Sequence, residues 1–403
     1  MKFLRSMYAC GGMLVLIVGV GLLRPAERST DITPTGQAPQ FKVDPNWPKT
    51  LQATKDAKGV EHQWVTGQVG GDCVDSHDHI FALNRAFQEG PGGGMFTHWG
   101  TTSIPAPPVI EYDSVGNIVH TWGDPRISPI QIRKGYGTTA VMPESLHGCF
   151  VDFQENVWIG GYSDGIVQEY THDGETMLLQ IGTKGLCDGP QTLNFLRPYP
   201  ECGSPGYNSS QTLLNEPADI AVDPAPDPVT GLAGDVYIAD GYGNHRVVVF
   251  DSKGKYLRQF GSAGSGNGQF HASGGGHPHC VVLGNDNLVY TCDRGDHRIE
   301  VFDKLGNFRR NIFLKSAGNG ASDIAFSPDN SQRFMYVCEE DSGKGAVLIV
   351  DHATGAILGG FGPKGHAPGE FTNAHTLATD SEGNIYVAET GNGRRIQKFV
   401  PDR

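Results

Sequence analysis

The sequence predicts an all-β fold, a six-bladed β-propeller closed by a strand from its N-terminal side. Three observations carry that prediction. One strand–turn–strand unit recurs along the body of the chain. Glycine is abundant, at 56 of 403 residues, while charged residues make up only 19%, a balance that suits short strands and tight turns better than long surface helices. Finally, the unit occurs six times, and a spacing of about 40 to 50 residues with four strands per unit is the signature of propeller blades.

Residues 1–26 differ in kind from the rest. Lys2 and Arg5 precede an apolar run from Gly11 to Leu23, the charged and apolar regions of an export signal. The run is short against the roughly 20 residues that a membrane span requires. Arg24-Pro25-Ala26-Glu27 is a poor cleavage site, so an uncleaved anchor is the competing expectation. Residues 27–39 read as a polar linker and 40–403 as the propeller. The expected location is extracytoplasmic, periplasmic or secreted, with membrane contact only through the N-terminal segment.

First strands are expected near Gly71, His147, Asp219, His279, Asp323 and His375. The third unit shows the pattern well: Glu216-Pro-Ala-Asp-Ile-Ala-Val-Asp leads to Asp235-Val-Tyr-Ile-Ala-Asp-Gly-Tyr-Gly-Asn-His-Arg-Val-Val-Val-Phe-Asp251. Alternating apolar residues face a shared core, and Asp, Asn and Gly at the turns allow the chain to reverse. The last unit runs out after three strands, at Phe399, and Gln40–Asp44 is available to supply the fourth. Such closure removes exposed sheet edges. Insertions at 86–107, 125–142 and 183–214 are expected as rim loops.

The chain has 8 cysteines and a formal net charge of −13. The acidic balance excludes nucleic acid as the main partner, because phosphate binding needs a basic patch. Export permits disulfides; Cys187 and Cys202, which flank a Gly/Pro-rich insertion, are the expected pair. Cys73, Cys149, Cys280, Cys292 and Cys338 fall within strand patterns and read as small buried thiols.

His147, His279 and His375 each stand at the start of a first strand, in units 2, 4 and 6. Successive blades of a six-bladed ring rotate by about 60°, so alternate blades lie about 120° apart, and first strands line the central channel. Three imidazoles can therefore converge, and three histidines with an open position are the ligand set of a catalytic Zn²⁺ site. His245 and His297 belong to the Asn-His-Arg and Asp-His-Arg loops of the repeat, and His277 is the residue most easily mistaken for a ligand. The loop leaving strand two opens on the same mouth and carries Arg85, Tyr242 and Arg294. An arginine fork binds a carboxylate, and a tyrosine beside a metal can serve as a base.

These residues, with Gly67-Gln-Val-Gly-Gly, Asn84-Arg85, Leu146-His-Gly, Ala239-Asp-Gly-Tyr-Gly-Asn, Pro278-His279, Asp293-Arg294 and Ala374-His375, make the chain resemble an NHL-repeat propeller family, the peptidyl-α-hydroxyglycine α-amidating lyases, over roughly residues 66–400. The resemblance implies zinc on His147, His279 and His375, Tyr242 as base on a substrate hydroxyl, and Arg85 on a carboxylate with Arg294 in support. It implies cleavage of an N–C bond in a carboxylate-bearing small molecule or peptide to an amide and glyoxylate. The chain departs from the family at three positions. Asn373 stands where the family has Met, Gly243 where it has a disulfide cysteine, and Thr376 where it has an Asp that binds calcium, which weakens the case for Ca²⁺ here. The alternatives are a non-catalytic propeller that displays its face to a protein, glycan or cell-wall partner, and a metal-dependent hydrolase or lactonase.

Overall fold

Six sheets follow one another along the chain, each built of antiparallel strands in sequence order, apart from the closing strand of the sixth and an added parallel edge strand on the second. The computed structural model describes residues 37–402 apart from 56–57, 86–102, 124–130, 133–141, 144, 190–200, 203–205, 274, 315–319 and 340–345. The expected export signal, most of the linker and most of the three insertions lie outside the described residues. Among the described residues no helix is long and apolar enough to cross a membrane.

The blades begin with Val69–Val74, Leu146–Val151, Pro217–Asp223, Val281–Leu283, Ala321–Phe326 and Ala374–Thr379. These first strands touch one another in ring order and close on themselves, so they line the channel as expected. His279 stands two residues before the regular ladder of its blade and is held there by a 2.9 Å hydrogen bond from its N–H to the Cys292 carbonyl. The sixth blade is completed from the other end of the chain. Phe41–Val43 pairs antiparallel with Ile396–Pro401, with Phe41 opposite Pro401 and Val43 opposite Phe399. Beside this closure Trp47 is buried between Tyr112 of blade 1 and Tyr386 of blade 6, at ring distances of 5.4 and 4.9 Å, and burial of such a side chain contributes about 1.5–3 kcal/mol.

The recurrent Asp-x-x-Gly/Asn turns have one mechanism. In each, an aspartate Oδ1 accepts the N–H groups two and four residues on, as Asp75 does from His77 and His79 at 2.9 and 2.8 Å, and Asp380 from Glu382 and Asn384 at 3.1 and 2.8 Å. The side chain thus replaces the backbone partners that a tight reversal leaves unmade. At the other end of the hairpins, arginines following the Asn-His and Asp-His loops turn inward. Arg246 pairs with Asp240 at 2.9 Å and Arg298 with Asp293 at 2.8 Å, all four buried.

The structure corrects the reading of the cysteines. Cys73 is bonded to Cys149, which joins the first strands of blades 1 and 2, and Cys280 is bonded to Cys292 within blade 4. These four are cross-links and not core thiols; only Cys338 of the five remains a buried thiol. Cys187 lies directly opposite Cys202 in a short parallel pair, while the Cys202 side chain lies outside the described residues. Two further small sheet pieces were not anticipated. Ala53–Lys55, Glu61–Val65 and Ser103–Pro105 form a separate three-stranded sheet, and Gln131–Ile132 adds a parallel edge to blade 2.

Candidate metal centre

The first strands carry bulges, and the bulges build the site. In blades 1, 3 and 5 the strand register slips at Gly70, Ala218 and Ser322. A bulged residue is left out of the ladder, so its carbonyl is available to something other than its own sheet. In blade 2 the slip lies next to His147, and in blade 6 it falls at His375 itself. The two sets interlock around the ring. His147 Nδ1 lies 2.6 Å from the Ala218 carbonyl of the next blade, and His279 Nδ1 lies 2.6 Å from the Ser322 carbonyl of its next blade. Gly70 takes the corresponding place beside His375, more loosely, since His375 Nδ1 falls short of hydrogen-bond geometry.

A carbonyl can only accept, so Nδ1 of His147 and of His279 carries the proton. The Gly148 N–H, 3.0 Å from His147 Nδ1, is then a close approach and not a second bond. Each Nε2 is left with a lone pair, the form in which histidine binds metals. The three rings are almost wholly buried. Their centroids are 4.7, 5.0 and 5.1 Å apart, and one ligand atom from each lies within 4.8 Å of the others. Burial holds all three imidazoles well below their ordinary pKa; the Arg294 guanidinium pushes all three in the same direction, and Arg85 does so for His147 and His375. The rings are therefore neutral at neutral pH. Donor type, tautomer and spacing all suit a single divalent ion such as Zn²⁺.

The predicted companions meet there. Tyr242 Oη lies 2.9 Å from His279 Nε2 and 3.3 Å from His147 Nε2, against the same lone pairs that would hold a metal. Arg294 stacks over the Tyr242 ring with its Cζ 5.5 Å from the centroid, and its Nη2 donates to the Gly275 carbonyl. Arg85 is buried beneath the bulge of its own blade and donates from Nε to the Leu146 carbonyl. His277 is turned away, accepting from the Gly295 N–H at 2.8 Å and packing against His271; His245 and His297 are likewise outside the cluster.

One residue escaped the sequence reading. Tyr162 is buried, sits 5.3 Å from His147 and 5.2 Å from Tyr242 ring to ring, and has Arg85 over its face at 5.4 Å. It follows strand two of blade 2, the repeat position that Arg85, Tyr242 and Arg294 occupy in blades 1, 3 and 4, and that equivalence was the available signal. The departures have local consequences. Thr376 Oγ1 donates to Asp72, Asn373 donates to Thr390 at 2.6 Å, and any side chain at Gly243 would collide with Asn215.

Comparison with known proteins places these features. The NHL repeat family model matches residues 276–302, the start of blade 4. The chain is 25% identical over 367 residues to peptidyl-glycine alpha-amidating monooxygenase B of Xenopus laevis, covering 88% of this chain and 36% of that protein. NHL repeat-containing protein 3 of Homo sapiens is 25% identical over 280 residues, 66% of this chain and 69% of its own length. Peptidyl-alpha-hydroxyglycine alpha-amidating lyase 1 of Drosophila melanogaster is 25% identical over 182 residues, 41% of this chain and 33% of its own. The chain thus spans about a third of the length of the amidating monooxygenase it matches. With six blades of antiparallel strands and the NHL repeat matched in blade 4, the chain is a six-bladed β-propeller whose sequence resembles the peptidyl-α-hydroxyglycine α-amidating lyases.

Proposed function

We propose that the chain is a metal-dependent carbon–nitrogen lyase that cleaves a peptidyl-α-hydroxyglycine-like carbinolamide to an amide and glyoxylate. The supporting observation is the meeting of three buried imidazoles from alternate blades, two of them with the tautomer fixed by a neighbouring carbonyl, with the hydroxyl of Tyr242. His147, His279 and His375 would hold a zinc ion, which would supply Lewis acidity toward the substrate hydroxyl. Tyr242 takes the proton from the substrate hydroxyl. The C–N bond breaks as the carbonyl of glyoxylate forms, and the leaving amide nitrogen gains a proton, so the products together have the atoms of the substrate. Arg85 holds the carboxylate by its guanidinium fork, with Arg294 in support, and buried Tyr162 walls the pocket beside Arg85. The chain acts outside the cytoplasm in this reading, and residues 1–26 direct it there.

Metal content decides between this reading and a binding propeller. The purified 30–403 fragment is expected to hold about one zinc per chain at its channel, lost in His147→Ala/His279→Ala/His375→Ala, and to release glyoxylate from an α-hydroxyglycine peptide. If the triple substitution leaves metal content and glyoxylate release unchanged, the lyase reading fails and a propeller that displays its face to a partner is the better account.

A further inference from the structure

A second cluster of metal-ligand side chains lies away from the channel histidines, at the seam of blades 1 and 2 and at the opposite end of the first strands. Asp75 sits in the turn after the first strand of blade 1, His79 just before Ile80–Asn84, and Glu111 within Val109–Tyr112. His172 comes from blade 2, in the turn between Ile166–Tyr170 and Thr176–Gly182. Asp75 Oδ2 is 3.0 Å from His172 Nε2 and 3.7 Å from His79 Nδ1, and Glu111 Oε1 is 2.7 Å from His79 Nδ1. Asp75, Glu111 and His172 each offer one ligand atom within 4.8 Å of the others.

Charge makes this cluster more than a set of hydrogen bonds. The Asp75 and Glu111 side chains are only 1% and 6% exposed, and neither has a lysine or arginine within ion-pair distance among the described residues. Apart from the two backbone N–H groups on Asp75 Oδ1, the partners of these buried carboxylates are the His79 and His172 rings, so carboxylate and imidazole donors converge in one buried place. A third carboxylate reaches the same turn. Glu155 Oε2 is shielded from solvent without a hydrogen bond, with His77 Nδ1 3.9 Å away, and it too lies with Asp75 in ligand range. The two imidazole edges are about one-third exposed, which leaves a route in. Ligand atoms around a tetrahedral ion with bonds of about 2.0–2.2 Å are about 3.3–3.6 Å apart; the Asp75–His79 separation of 3.7 Å is close to that, and the hydrogen-bonded pairs at 2.7 and 3.0 Å would open by about half an ångström to admit the ion.

We propose that Asp75, His79, Glu111 and His172 form a second divalent-metal site, which pins blade 1 to blade 2 independently of the channel site. Mixed imidazole and carboxylate donors select a first-row ion, zinc before calcium or magnesium. Because the ligands come from two blades, the ion acts as a cross-link, on the same seam that the Cys73–Cys149 disulfide closes.

The test uses the metal-stripped chain titrated with Zn²⁺, and with Co²⁺ as a visible-absorbing probe. The His147→Ala/His279→Ala/His375→Ala variant is expected to bind one ion and to melt at a higher temperature with it. Adding His79→Gln/His172→Gln should abolish that binding, a larger loss than the roughly 10–100-fold that removal of an outer-shell partner causes. In the otherwise unaltered chain, His79→Gln/His172→Gln should lower the bound metal by one ion per molecule, which holds whether or not the channel binds metal and keeps the test valid if the triple variant misfolds. Unchanged stoichiometry in that double variant, or no binding by a folded triple variant, overturns the second site.

Discussion

In the proposed reaction a single hydroxyl, that of Tyr242, supplies the base. Tyr242→Phe keeps the ring that packs on His147, His279 and Arg294 and removes only the group 2.9 Å from His279 Nε2. Glyoxylate release should fall by about 10²–10⁴, the usual worth of a general base, with metal content unchanged; a variant of full activity would place the base elsewhere. Gly70 is the steric counterpart. A Cβ there would stand 2.3 Å from Arg85 Nε and 2.3 Å from the Leu146 carbonyl, so the arginine would have to move. Gly70→Ala is expected to cost about 1–3 kcal/mol of stability and to raise KM at least tenfold while zinc is retained, a split measurable by steady-state kinetics beside metal analysis. The three histidines were legible in the sequence because the repeat repeats: equivalent places in alternate units project to one point. The carbonyls of Ala218 and Ser322 that fix their tautomers were not, because a bulge has no residue type of its own. Tyr162 was missed because a tyrosine after an apolar strand reads as core until its repeat position is compared with that of Tyr242.

Among the strands, closure and cross-linking were legible to different degrees. The closing strand could be placed from the sequence, since the last unit is one strand short and Phe41 and Val43 alternate as an edge strand requires. Its register against Ile396–Pro401 follows once Phe41 and Val43 point to the core side. The disulfides could not be placed the same way. Cys73 and Cys149 are 76 residues apart and belong to different sheets, so their proximity exists only when the ring brings neighbouring first strands together. A cysteine inside an apolar strand looks the same in sequence whether its sulfur is a thiol or a cross-link. Replacing both with serine should therefore lower the unfolding free energy by about 2–4 kcal/mol, read from the midpoint of a denaturant titration. An equal midpoint with and without a reductant would mean that the bridge constrains nothing the six blades do not already hold.

Across the whole ring the blades divide into two sets of three. Even blades present histidines at one level of the channel, while odd blades present Asp72, Asp219 and Asp323 at another, around a cavity of about 390 Å³. All three carboxyls are pushed above the usual range by burial, Asp323 reaching about 7, and the charge of Asp323 further raises Asp72 and Asp219. The unfolded chain returns each to about 3.9, so between about pH 4 and pH 7 the folded state binds more protons than the unfolded one. Stability drawn from these groups is then fully present below the unfolded value and is lost as pH rises through the folded one. Groups such as Asp113, Asp173 and Asp303, whose hydrogen bonds hold them below the usual range, act in the opposite sense lower in pH, and the three channel histidines, held below theirs by burial, act in the opposite sense up to about pH 6.5. In the presence of a chelator, unfolding free energy followed from pH 5 to pH 8 should fall more steeply, or rise less, in the wild-type chain than in one that lacks the Asp323 carboxyl. Asp323→Asn cannot ionise and can still accept one of the N–H bonds from Ile324 and Leu377, so its stability should change with pH by a more positive slope than the wild type over the same interval. The difference between the two slopes isolates the ring of acids from every other titrating group. Parallel slopes would mean that Asp323 stays charged in the fold, and that the odd blades then keep negative charge in the channel beneath the histidines.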